Sequence, residues 1–286
     1  MRRVVAVLGS GLLAAMAPVK APAAEQIATA SPWIEAQAAR VRLVAGADAA
    51  HPGGAFLAGV EIELAEGWKT YWRNPGEAGV PPNFDWSGSV NTASIKVRYP
   101  APIRLVDPAA DMIGYKKSVL FPVEVIPRTA GEAVNLQLAL EFAVCREICI
   151  PAQAALQLAL PAALLTQAPV PRIAAAQDRV PRAQSARRAG DPQLLAVKAS
   201  LEGPAPFLQI EAKFANGAAG ADVFIEAPEG LFVPMAQKLP GGSEGHVRFQ
   251  VDLSRGGEAQ DLKGKELTIT LVSDAGASEV NWTLRE

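Results

Sequence analysis

The run Val134-Asn-Leu-Gln-Leu-Ala-Leu-Glu-Phe142 leads directly into Ala143-Val-Cys-Arg-Glu-Ile-Cys-Ile-Pro151, and a second alternating run, Ala154-Ala-Leu-Gln-Leu-Ala-Leu160, follows. Apolar residues at every second position are typical of a strand with one buried face. The residues between Cys145 and Cys149 would then form the tip of an antiparallel hairpin. Facing residues in such a pair have Cα atoms about 4.5 or 5.5 Å apart, and a disulfide bond can span such distances.

The sequence before residue 165 contains further short runs of the same kind. Among them are residues 39–45, 56–64, 94–100 and 119–126, and turn residues separate them. The chain has 23 Pro and 24 Gly residues, and long helical periodicities are scarce. Short strands broken by turns at this spacing predict a β-sandwich.

Residues 166–192 differ in composition and are rich in Ala, Pro, Gln and Arg. We interpret them as a linker with one or two helical turns near residues 173–180. Residues 193–286 return to short strands and contain no Cys and one His, so we predict a second, smaller β-domain without chemistry of its own. The predicted fold class is all-β, with two sandwich domains at residues 25–165 and 193–286 joined by this Pro/Ala/Arg-rich linker.

Residues 1–24 have the features of a secretory signal peptide. Arg2 and Arg3 precede a short apolar stretch, and Ala21-Pro-Ala23 resembles a cleavage site. We therefore expect export to the bacterial periplasm, cleavage of the signal, and no membrane span in the mature chain. Removal of the signal leaves 24 basic against 29 acidic residues, which argues against a nucleic-acid partner.

The cysteine pair of an exported protein is redox-active, structural or metal-binding. As a staple it would contribute only roughly 2 kcal/mol, because the loop it closes is so short. A mature chain of about 260 residues can bury enough core without it. The neighbouring sequence offers Glu147 and no His, so we predict no metal site and no cofactor. The spacing alone leaves the redox-active and structural interpretations open.

Four segments together resemble the periplasmic N-terminal domain of the thiol:disulfide reductase DsbD, in its copper-tolerance ScsB-like subset. They are Gly67-Trp-Lys-Thr-Tyr-Trp-Arg-Asn-Pro-Gly76, Asp111-Met-Ile-Gly-Tyr-Lys-Lys-Ser118, Leu120-Phe-Pro-Val-Glu124 and Val144-Cys-Arg-Glu-Ile-Cys-Ile-Pro-Ala152. The resemblance covers roughly residues 30–165. It implies an immunoglobulin-like sandwich with a redox-active pair, in which Cys149 exchanges with the electron donor and Cys145 resolves the mixed disulfide.

The resemblance also implies a cap loop that shields the disulfide. The matching segment begins at Asp111, and Met112 and Ile113 stand where the better-known members carry a Phe-Tyr pair. Tyr71 matches an aromatic residue near the disulfide of the family. Plain core packing is the alternative interpretation for these side chains. The cysteines are separated by three residues instead of five, as in the ScsB-like subset.

The function implied is thiol:disulfide oxidoreductase activity in electron transfer. A membrane protein or thioredoxin-like donor would supply electrons, and oxidised periplasmic proteins would accept them. Full-length relatives continue into a membrane domain, whereas this chain ends at Glu286, so we expect a separate membrane partner. The alternative is a non-catalytic binding module with a structural disulfide, for partner docking or copper handling, in which Met112 is a plausible third copper ligand.

Overall fold

The computed structural model describes residues 29–46, 55–106, 111–162, 171–242, 245–257 and 259–285. The predicted signal peptide, residues 1–24, lies outside these ranges, as do residues 166–170 of the predicted linker. Within them the chain is mostly β-structure with one α-helix. None of the helical segments in these ranges has the length and apolar character that crossing a membrane requires.

Eleven strands of the described chain build the first sandwich. They are β1 (Ile34–Ala36), β2 (Ala39–Gly46), β3 (Phe56–Leu64), β4 (Lys69–Gly76), β5 (Asn83–Asp85), β6 (Thr92–Val97), β7 (Ile103–Leu105), β8 (Met112–Lys116), β9 (Ser118–Pro127), β10 (Val134–Cys145) and β11 (Cys149–Leu160). One sheet has the order β1-β2-β3-β9-β6 and the other has the order β11-β10-β4-β8-β7, with β5 added beside β10. Neighbouring strands are antiparallel throughout.

Eight further strands form the second sandwich. They are β12 (Arg182–Ala183), β13 (Gln193–Ser200), β14 (Phe207–Lys213), β15 (Asp222–Glu226), β16 (Gln237–Lys238), β17 (His246–Asp252), β18 (Glu266–Ser273) and β19 (Gly276–Thr283). Its two four-stranded sheets have the orders β12-β19-β18-β15 and β13-β14-β17-β16. The all-β, two-sandwich fold class predicted from the sequence is confirmed.

The hairpin β10–β11 shows how the alternating sequence becomes a two-faced strand pair. Residues pair without interruption from Val134 opposite Leu160 to Cys145 opposite Cys149, so the predicted hairpin is confirmed. Even-numbered side chains of both strands enter the core between the two sheets. Because successive residues point to opposite faces, the odd-numbered cysteines lie on the outer face of the sheet.

The segment predicted to be a linker contains folded elements. Helix α1 (Pro171–Asp178) begins with proline, which suits the first helical position. Its Ile173 is fully buried against Val44 and Leu57 of the first sandwich. Strand β12 pairs in parallel with β19 of the second sandwich. The residues between the two sandwiches therefore pack on both.

The two sandwiches also pack on each other directly. Phe224, Val272 and Ala277 of the second sandwich belong to the same buried cluster as the core of the first. The ring centroid of Phe224 lies 6.0 Å from that of Trp72 on β4. Apolar contact of this kind holds the second sandwich against the sheet that carries the cysteines.

Candidate functional site

Cys145 and Cys149 form a disulfide bond at the end of the β10–β11 hairpin, with their Cα atoms 4.0 Å apart. Cys145 is 4% exposed, whereas Cys149 is exposed. The three-residue tip between them includes Ile148, which is 68% exposed. Cys149 is thus an exposed residue at the end of the hairpin, whereas Cys145 is covered.

The cover over Cys145 is a small apolar cluster separate from the main core. It consists of Tyr71, Leu105, Met112, Ala143 and Cys145, all buried. The phenol oxygen of Tyr71 lies 3.0 Å from the Sγ atom of Cys149 and donates a hydrogen bond of 3.4 Å to the Sδ atom of Met112. The Tyr71 hydroxyl therefore contacts both the disulfide and the thioether beside it.

The segment predicted as a cap divides between two environments. Met112 lies in the cluster over the disulfide, whereas Ile113 is buried in the main core of the sandwich. Asp111 precedes strand β8 and its Oδ2 atom lies 3.5 Å from the Nη1 atom of Arg104. Alternation along β8 explains the split, because adjacent residues of a strand point to opposite faces. Met112 is thus the residue of the cap that contacts the cluster.

A glycine turn, which begins at the last residue of β4, completes the cover. Gly79 has a φ of +131°, and a Cβ atom there would lie 2.4 Å from the Tyr71 ring. Gly76 has a φ of +86°, and its own Cβ would meet the backbone oxygen of Asp111 at 2.9 Å. Both positions require glycine because the backbone is left-handed and the neighbours are close. The backbone of the turn therefore lies in close contact with Tyr71 and with the start of β8.

Lys69 was not among the site residues predicted from the sequence. Lys69 is buried and stands directly opposite Cys145 in the β10–β4 register and opposite Lys116 in the β4–β8 register. The guanidinium of Arg146 at the hairpin tip lies 5.7 Å from the centroid of the Trp68 ring. The period of two in β4 could have found Lys69, because it shares a face with Tyr71.

The cysteine pair has no cluster of metal ligands around it in the part of the chain described. Across residues 29–46, 55–106, 111–162, 171–242, 245–257 and 259–285 there is no group of three or more His, Cys, Asp or Glu residues that could hold a metal ion. Met112 Sδ accepts a hydrogen bond from Tyr71. The chemistry that the site can perform with its own groups is exchange at sulfur.

Two family models match the chain, and one of them contains the disulfide. Residues 40–161 match the family model described as the N-terminal domain of the thiol:disulfide interchange protein DsbD. Residues 40–161 form a DsbD-like N-terminal domain. Residues 179–286 match a separate model, a domain of unknown function named DUF8393. The DsbD-like domain contains the disulfide and the residues that cover it, and the second match contains the second sandwich.

Among solved structures the chain is similar to the N-terminal periplasmic domain of ScsB from Proteus mirabilis. The two share 24% sequence identity with a TM-score of 0.68, and the match covers 90% of this chain and 99% of that one. This similarity shows the fold, including both sandwiches. No curated protein matches the chain.

Proposed function

We propose that the protein is a periplasmic thiol:disulfide exchange protein that passes reducing equivalents through Cys145 and Cys149. The membership of residues 40–161 in a thiol:disulfide interchange family supports the reaction class. The single observation that carries the proposal is the unequal exposure of the two cysteines beside a cover built by Tyr71 and Met112.

The exposure suggests the order of steps. A thiolate of a reduced donor attacks Sγ of Cys149, forms a mixed disulfide, and displaces Cys145 as a thiolate that takes up a proton. A second thiol of the donor attacks the donor sulfur that is bonded to Cys149. The donor forms its own disulfide, and Cys149 is released as a thiolate that takes up a proton. The donor leaves oxidised, and the pair holds two electrons and two protons. The reduced pair then reduces an oxidised periplasmic protein by the same steps in reverse.

Tyr71 has a part in this scheme as the group beside the exchanging sulfur. Its hydroxyl lies 3.0 Å from Cys149 Sγ and can turn its single proton from Met112 Sδ to the thiolate that forms there. The donors that we propose are a membrane electron-transfer protein or a thioredoxin-like protein. Export to the periplasm agrees with the predicted signal peptide, and disulfides persist in that compartment.

The reduction potential of the pair tests the proposal. Equilibration of the purified mature protein in defined thiol buffers, followed by alkylation, should give a value between roughly −180 and −270 mV, the range of known exchange proteins. A value below roughly −300 mV would mark a structural bond and favour the non-catalytic binding module. In the latter case partner docking, not electron transfer, would be the function to pursue.

Lys69 is expected to lower the pKa of the Cys145 thiol. Facing residues of an antiparallel pair have Cβ atoms about 4.5–5.5 Å apart, and a nearby ammonium favours a thiolate. In a Cys149→Ser background, Lys69→Met should raise the pKa of Cys145 by about one unit, as read from thiolate absorbance against pH. Lys96→Met is the matched control, because Lys96 is exposed on strand β6 of the other sheet. Equal shifts in both variants would refute a specific role for Lys69.

A further inference from the structure

Arg104 links the cap to the second sandwich. From strand β7, its guanidinium donates to Asp222 through Nε, at 3.0 Å from Oδ2, and through Nη2, at 2.7 Å from Oδ1. Nη2 also lies 2.9 Å from the backbone oxygen of Ala236, and Nη1 lies 3.5 Å from Asp111 of the cap. One arginine thus joins a cap residue to a strand more than a hundred residues later in the chain.

The position of β7 makes this link important for the disulfide. β7 is a three-residue edge strand that pairs only with β8 among the described strands, and its Leu105 is part of the cluster over Cys145. Leu105 faces Met112 in the β7–β8 register, and Arg104 faces Ile113. A short edge strand opens easily when nothing supports its free side. Contacts from the second sandwich supply that support here.

A second set of contacts fixes the other side of the cover. The guanidinium of Arg73 on β4 donates to Glu226 from Nε, at 2.9 Å from Oε1 and 3.1 Å from Oε2, and from Nη2, at 2.7 Å from Oε2. Nη2 also donates to Glu279. Asn74 donates to the backbone oxygen of Ile225 at 3.1 Å and accepts from the Gly76 amide at 3.1 Å. These residues lead into the glycine turn that lies on Tyr71.

The charges at this contact are matched and partly withdrawn from solvent. The side chains of Arg104 and Asp222 are 19% and 22% exposed. Burial acts to lower the pKa of Arg104, but the hydrogen bonds and charges of Asp222 and Asp111 outweigh it and raise that pKa above its ordinary value. Charge-assisted, forked pairs of this kind are stronger than neutral hydrogen bonds. The second sandwich is therefore attached at the cap by a charge-assisted, forked pair.

We propose that Arg104 and Asp222 are positioning residues that hold the cap strands β7 and β8 closed over the disulfide and so set the rate at which it exchanges. Met112 of β8 reaches the attacked sulfur through the Tyr71 hydroxyl, which contacts both Met112 Sδ and Cys149 Sγ. This role rests on the proposed function, because it concerns the speed of the same exchange. The second sandwich would act as a brace for the redox site, with Arg104, Asp111 and Asp222 as its joint. Release of the joint should expose the bond without changing its chemistry.

The test is the rate at which dithiothreitol reduces the disulfide of the full mature chain, followed by alkylation. Asp222→Ala should accelerate reduction about fivefold, as expected for the loss of a charge-assisted pair, with the reduction potential unchanged. Asp222→Asn, which retains the shape of the side chain, should give a smaller acceleration. Glu211→Gln is the matched control, because this second-sandwich carboxylate pairs with His246 and lies in the sheet that does not contain Asp222. It should leave the rate unchanged.

Met112→Ala removes part of the cover directly and calibrates the assay. If the brace acts through the cap, the double variant Met112→Ala/Asp222→Ala should reduce no faster than Met112→Ala alone. A rate for Asp222→Ala within about twofold of the wild type, or independent effects that multiply in the double variant, would overturn the proposal. If Asp222→Ala does not fold, Asp222→Asn decides by whether its rate exceeds that of Glu211→Gln. Dithiothreitol reduces any accessible disulfide, so these rates test the brace separately from the reduction potential that tests the function.

Discussion

Reduced Cys145→Ser protein should react with a disulfide reagent at least about tenfold faster than reduced Cys149→Ser protein, because only the first retains the exposed cysteine. Cys149 is exposed, whereas Cys145 is 4% exposed under Tyr71, Leu105 and Met112. The rates would be measured with 5,5′-dithiobis(2-nitrobenzoate) under native conditions. Neither variant should catalyse exchange above the uncatalysed rate, because exchange needs both sulfurs.

The same variants also test the direction of attack on a protein partner. With a thioredoxin-fold protein lacking its resolving cysteine as the probe, Cys145→Ser should accumulate a mixed disulfide that non-reducing electrophoresis detects. Cys149→Ser should accumulate little, and the double Cys→Ser variant none. Equal reactivity of the two single variants, or a faster reaction of Cys145, would contradict the assignment of Cys149 as the exchanging sulfur. Unfolding in urea should make the two single variants react alike, since the difference arises from the fold.

Replacement of Trp72 by alanine should cost about 3–5 kcal/mol of unfolding free energy, as large-to-small changes of buried aromatic residues do. Trp72 is fully buried, and its ring packs against Phe224 and beneath the guanidinium of Arg73 at 4.4 Å. The change would leave a cavity at the contact between the two sandwiches. Urea unfolding followed by circular dichroism measures the loss, and calorimetry should show the two sandwiches melting more independently.

Tyr71 provides the matched control, because it is the neighbour of Trp72 on the opposite face of β4. Tyr71→Phe retains the ring and removes the hydroxyl that contacts Cys149 and Met112. We expect a change in stability of about 1 kcal/mol or less, together with altered reactivity of the disulfide. A loss below about 1 kcal/mol in Trp72→Ala, or equal losses in the two variants, would show that the sheet does not separate a stabilising face from a reactive face.

The three residues predicted to form one cap lie in different environments. The resemblance to DsbD directs attention to Asp111, Met112 and Ile113 as one shielding segment. The structure separates them, with Met112 beside the disulfide, Ile113 in the main core, and Asp111 paired with Arg104. Strand alternation could have predicted that Met112 and Ile113 diverge, but not which of the two faces the cysteines. That choice depends on the register between β8 and β4, which no local sequence feature encodes.

Alternating residues in the chain specify the hairpin, the pairing of its two cysteines, and their place on a single face. Alternation of apolar residues has a period of two, so it specifies both the strand and the face of each residue along it. Which residues cover that face depends on tertiary packing and cannot be inferred from the pattern of the hairpin. Tyr71, Leu105 and Met112 come from three strands that are distant in sequence from the cysteines, and Asp222 reaches Arg104 from the other sandwich. Contacts between residues so far apart depend on how sheets pack, and packing is a property of the whole chain.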